Sequence, residues 1–175
     1  YVLAKSGDAD GAWRYIGKLF ASGEPITTAP SVAPACYGIG WNVAFGSGKL
    51  NEDLDYSDTT SRRGFYAVVD KAPSSTITVS TNDLATITYS PITLGSGAVG
   101  RTWAAPNLTG KKGWKMFFTG GERVLTNSTT PPDTGTVLFG TTKPSGDVCE
   151  PGNSGFIMAV NLCTAGIGNL VVNGT

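Results

Sequence analysis

The chain has 175 residues and no net charge, with 13 basic side chains against 13 acidic ones. That length suits one domain, and a charged fraction of only 15% argues against a nucleic-acid binder built on a basic surface and against a charged disordered tail. No apolar run approaches the roughly 20 residues a membrane helix needs, and the absence of histidine rules out a Ser-His-Asp or Cys-His site and a histidine-ligated metal within this chain.

Glycine (24) and proline (10), beside abundant threonine and serine, starve helices and suit strands joined by tight turns. In chain order, strands are predicted at Tyr1–Lys5, Ala12–Ile16, Trp41–Gly46, Gly64–Asp70, Thr76–Ser80 and Ala85–Tyr89. Further strands are predicted at Gly113–Phe118, Arg123–Asn127, Thr136–Thr142 and Phe156–Leu162. In Thr76–Ser80, Ile77 and Val79 face one way and the hydroxyls the other. Trp114-Lys115-Met116-Phe117-Phe118 alternates less cleanly, as a strand covered on both faces does. No 12-residue window keeps a helical stripe free of glycine and proline. Short strands at this spacing mean a sandwich, a barrel or propeller blades.

The opening segment, Tyr1 to Tyr15, reads as strand, Gly/Asp turn, then a strand opened by Trp13. Asp8 and Asp10 can bond the turn's own amides, and Gly11 can take a left-handed conformation. Such glycine and aromatic punctuation suits a blade, with Trp13 wedged between neighbours. A lone hairpin looks much the same. Because Tyr1 opens inside an apolar stretch, the chain is expected to be a piece of something longer.

Cys36, Cys149 and Cys163 lie far apart and lack Cys-x-x-Cys spacing, which argues against a zinc site. The step from Cys149 to Cys163 suits a disulfide in length. An extended Gly155–Leu162 would instead carry Cys163 roughly 25 Å away. Cys36 with either partner stays open.

Two motifs carry candidate chemistry. Pro151-Gly152-Asn153-Ser154-Gly155 has the look of a serine-protease turn, but Ser154 lacks a histidine base. It is expected to be a turn into the next strand. Asn51-Glu52-Asp53-Leu54-Asp55-Tyr56-Ser57-Asp58 is the one acidic cluster. Hard cations such as calcium want about six to eight oxygens, which makes Asp53, Asp55 and Asp58 the candidate calcium ligands. The spacing is not that of an EF-hand. The competing reading, a solvated loop whose aspartates cap turn amides, is the one it favours. Asn107, Asn127 and Asn173 begin Asn-x-Thr matches to the glycosylation pattern, which chance supplies in a threonine-rich chain.

Several stretches, taken in order, resemble one family. They are Gly17–Phe20 leading to Glu24–Pro30, Val43–Leu50, Gly64–Lys71, and Gly113-Trp114 running on to Gly121–Asn127. The last runs from Val137–Thr142 through Pro144, Asp147, Cys149 and Gly152 to Phe156–Val160. Their order and spacing resemble the C-terminal β-propeller of the PilC/PilY family, tip proteins of bacterial type IV pili, over roughly residues 1 to 162. Cys149-Glu150-Pro151-Gly152-Asn153 departs from the family's Cys-x-x-Gly-Gly, and the tail from Cys163 on departs too.

The resemblance implies a secreted, extracellular protein at the pilus tip or outer cell surface, acting in attachment and pilus biogenesis without enzymatic activity. It also implies calcium in some members, held by a short aspartate-rich loop. Glu52–Asp58 falls where the family often has an acidic insertion, although it does not match the calcium loop residue by residue. Blades take about 40 to 50 residues each. The expected fold is therefore all-β, a partial β-propeller of about four blades of antiparallel meander strands, one fragment spanning residues 1–175. Its open ends are expected to dock onto the remainder of the parent chain or onto minor pilins. The surface receptor is unspecified, and Trp41, Trp103 and Trp114 are candidate contact aromatics, with core packing the competing fate. Two other classes compete: a quinoprotein-like propeller oxidoreductase, which lacks a vicinal cysteine pair and an evident central cation site, and a cell-surface binding β-sandwich with crossing connections.

Overall fold

Turn glycines and strand-forming runs divide the chain into short strands, with one five-residue helix and one 3-10 turn among the described residues. The computed structural model describes residues 2–6, 13–38, 40–71, 78–95, 97–145 and 153–168. Strands β1 (Val2–Ser6) and β2 (Trp13–Lys18) pair antiparallel as the predicted hairpin. The turn that joins them, with Asp8, Asp10 and Gly11, lies outside the described residues.

The centre is a five-stranded sheet. Its order is β3 (Ser31–Pro34), β4 (Trp41–Gly46), β5 (Arg63–Asp70), β9 (Gly113–Phe118) and β6 (Ala85–Ile87). Neighbours run antiparallel except β6, which lies parallel to β9. The sheet therefore departs from a pure meander. Its three inner strands, β4, β5 and β9, are largely buried on both faces, which fits their near-continuous apolar runs. Gly113 starts β9 where no side chain fits: its φ is 135°, and a Cβ there would sit 2.0 Å from the Ala67 carbonyl oxygen.

Both faces of this sheet carry a core. On one, Phe65, Ala67, Ile87, Trp114, Met116 and Phe118 meet Val137, Phe139, Met158 and Val160. The latter four come from the antiparallel pair β10 (Thr136–Gly140) and β13 (Ile157–Asn161). On the other face, Val43, Phe45, Tyr66 and Val68 meet Phe20, Val79 and Leu84 from the connecting segments. Each fully buried side chain of this size contributes about 2 kcal/mol. Two ribbons complete the structure: β7 (Tyr89–Thr93) with β8 (Val99–Trp103), and β11 (Lys143–Pro144) with β12 (Asn153–Ser154). None of the sheets closes.

Some expected elements differ. Arg123–Asn127 forms no strand; Arg123 makes a single bridge to Thr142. The turn before it, with Gly120 at φ 66° and Gly121 at φ 81°, bends the backbone out of the ladder. Of Thr76–Ser80, the described residues bridge only through Val79 to Phe20. Ala85–Tyr89 splits at Thr88, because β6 joins β9 while β7 leaves to pair with β8. Strands β3, β8, β11 and β12 and the helix α1 (Asp53–Ser57) are additional.

Candidate functional site

The acidic run folds into α1 and its flanks. Asp55 is buried and turns inward, where its carboxylate accepts the backbone N–H groups of Asn51 (2.9 Å) and Glu52 (3.1 Å) and meets Lys49 Nζ at 3.4 Å. The Asn51 amide, opposed by partial desolvation, holds its carboxyl below the ordinary value. Asp58 follows the helix. Its Oδ1 accepts from the Ser61 and Thr60 amides, and its Oδ2 pairs with Arg63 at 3.3 Å. The Ser61 bonds come first among the causes that bring its pKa to about 2. Lys49 is pushed up, chiefly by Glu52 and then Asp55. Asp53 is exposed.

Arg123 organises this loop from below. Its side chain is 1% exposed and donates three bonds of 2.8 Å, from Nε to the Gly121 carbonyl, Nη1 to Lys49 O and Nη2 to Asp58 O. Gly121 allows the close approach, since a Cβ there would lie 2.8 Å from Asp58 O. Both ends of the acidic segment thus hang on one buried guanidinium. Asp53, Asp55 and Asp58 are neighbours in sequence, but the carboxylates of Asp55 and Asp58 serve separate partners, and that of Asp53 faces solvent. Among the described residues no three metal-ligating side chains group together. Asp55 and Asp58 accept turn amides and pair with bases.

The disulfide joins Cys36 to Cys163. It ties the loop after β3 to the end of β13, across the main core. Cys149 lies outside the described residues. Clefts of about 570 Å³ and 400 Å³ flank the bond, and Cys36, Asn42, Leu162 and Cys163 line both. Asn42 is 1% exposed and donates Nδ2 to Pro34 O at 3.0 Å, which fixes the loop that carries Cys36. Tyr37, 78% exposed, stands at the rim of the larger cleft.

The three tryptophans proposed as contact aromatics have separate fates. Trp114 is fully buried and donates Nε1 to Leu162 O. Trp103 is half-buried and donates to Ala165 O. Trp41 alone is exposed, on the outer part of β4. Where a turn was expected, Asn153 and Ser154 form the short strand β12, paired with Pro144 and Lys143 of β11; Pro151 and Gly152 lie outside the described residues. Asn107 and Asn127 are both exposed, and their side-chain oxygens accept the Thr109 and Ala29 amides. Asn173 lies outside the described residues.

Sequence reasoning missed a second charged feature. Arg101 on β8 forks onto Glu122, Nη1 to Oε1 at 2.6 Å and Nη2 to Oε2 at 2.5 Å. The Tyr89 and Phe156 rings hold its guanidinium at 4.2 and 3.9 Å. The two charges lie 21 residues apart, without a shared motif, so no local signal marks them. Tyr66 was also unmarked: its hydroxyl is buried near Glu24, and burial first, then Glu24, raises its pKa far above the phenol value.

No family model matches the chain, and no curated protein matches it. Among solved structures it is similar to the crystal structure of the Pseudomonas aeruginosa PilY1 C-terminal domain, with a TM-score of 0.62 and 22% sequence identity. The match covers 87% of this chain and 35% of that one, so the chain spans about a third of the solved chain's length. The family resemblance read from the ordered motifs is borne out at the level of the fold. This chain is built on the fold of the PilY1 C-terminal domain.

Proposed function

We propose that the chain is a non-enzymatic structural and binding module of a type IV pilus-associated protein, displayed outside the cell at the pilus tip. The observation that carries this reading is the PilY1-like fold over 87% of the chain, together with the ordered motifs that resemble the PilC/PilY family. Its sheets are stacked segments of a larger propeller. The five-stranded sheet has packed layers on both faces, as a blade between two neighbours does. The absence of histidine from the sequence supports a non-enzymatic role, since no serine or cysteine nucleophile has its usual base.

The module docks onto the rest of its parent chain or onto partner subunits. Ile157, at 86% exposed, and Ile167, at 55%, sit on and beside the β10–β13 pair where a further sheet would stack. Light scattering on the isolated chain tests this part: self-association is expected, and a stable compact monomer counts against it. Deleting the gene from its host tests the role. Piliation or surface attachment is expected to fall, and unchanged piliation and adhesion overturn the proposal.

A further inference from the structure

Below the base of the β7–β8 hairpin lies a cavity of about 330 Å³, with Tyr89, Arg101, Glu122, Thr119, Lys143 and Ser154 on its wall. The Arg101 and Glu122 side chains are only 9% and 4% exposed, so a charged pair is built into that wall. A carboxylate offers about four acceptor sites. Arg101 occupies one on each oxygen. Glu122 therefore keeps acceptor capacity that suits an incoming O–H donor. Arg101 cannot swing away to meet a ligand, because the fork and two aromatic rings fix it.

Lys143 supplies the complementary need. Its ammonium has three donors and no acceptor, and among the described residues it forms no ion pair. It rests beside Gly120, where a Cβ would lie 3.2 Å from Nζ. Thr119 and Ser154 add hydroxyls that donate or accept. Arg101 and Glu122 cancel in charge, so among the described residues Lys143 leaves the wall with one net positive charge.

We propose that this cavity binds a small polyhydroxylated monoanion of the sugar-acid class. The ligand carboxylate pairs with Lys143, and its hydroxyls donate to Glu122 and exchange bonds with Thr119 and Ser154. A neutral sugar leaves Lys143 without its anion. A simple carboxylate leaves the acceptors of Glu122 unmet. The site stands independently of where the domain is displayed, so its test and the pilus test fail separately.

The test titrates the full chain with glucuronate, glucose and acetate, followed by heteronuclear NMR. Glucuronate is expected to bind saturably, with glucose and acetate each about tenfold weaker or worse. Lys143→Gln, at an exposed position, is expected to weaken glucuronate about tenfold while the melting temperature stays put. No saturable glucuronate binding up to about 50 mM, equal binding of the three probes, or unchanged affinity in the variant overturns the proposal.

Discussion

Phe65 and Phe139 stack face to face, with ring centroids 3.7 Å apart and planes 6° from parallel. One ring belongs to β5 and the other to β10, so this contact joins the five-stranded sheet to its neighbouring layer. Both residues are buried. Truncation of either leaves a cavity between two elements that cannot collapse onto each other. Phe139→Ala is expected to lose about 3–5 kcal/mol in a urea titration. The exposed Val32→Ala change should stay within about 0.5 kcal/mol. Equal losses at both positions contradict the layered core.

The Cys36–Cys163 bond closes a sequence separation of 127 residues. Loop-closure entropy on that scale stabilises the folded state by about 4–5 kcal/mol. Reduction, or Cys36→Ser, is expected to lower the denaturation midpoint accordingly. Cys149→Ser should leave the response to reductant unchanged. A Cys149 variant that abolishes the response contradicts the pairing.

Arg123 offers a sharper probe of the acidic loop. Arg123→Met keeps the length and removes the donors to the Gly121, Lys49 and Asp58 carbonyls. The loss is expected to be about 3 kcal/mol. Hydrogen exchange should rise at Asn51 and Glu52, whose amides bond Asp55. If protection there is unchanged, the loop does not depend on this arginine.

Stability should fall in acid. Asp58 moves from its ordinary value of 3.8 to about 2 in the fold, and Asp55 and Asp83 are also lowered, each mainly by a backbone amide. A lowered folded pKa gives stability that is present above the unfolded value and lost as pH falls through the folded one. The melting temperature is therefore expected to drop as pH falls from about 5 to 2. Asp58→Asn should flatten part of that drop. An identical profile in the variant removes Asp58 from the account.

Much of the strand framework was legible because burial leaves a pattern. The runs at Trp41–Gly46, Gly64–Asp70 and Gly113–Phe118 are apolar enough to mark central strands. Strand β8 escaped notice because Gly100 and Arg101 interrupt it, and Arg101 belongs there only through Glu122. Arg123 misled in the opposite sense. Its neighbours Val124 and Leu125 look like a strand, yet its own buried guanidinium and two left-handed glycines turn the chain away. In the acidic run the residue types were plain, but the direction of each carboxylate was not. Asp55 turns inward to amides that its own sequence neighbours supply. The disulfide stayed open because Cys36 and Cys163 meet through the stacking of two sheets, which no local spacing encodes.

Immunogold labelling of this chain on intact cells of its native host tests the central claim most directly. Gold is expected at the free ends of surface pili, and label confined to the cell interior or absent from pili contradicts the account.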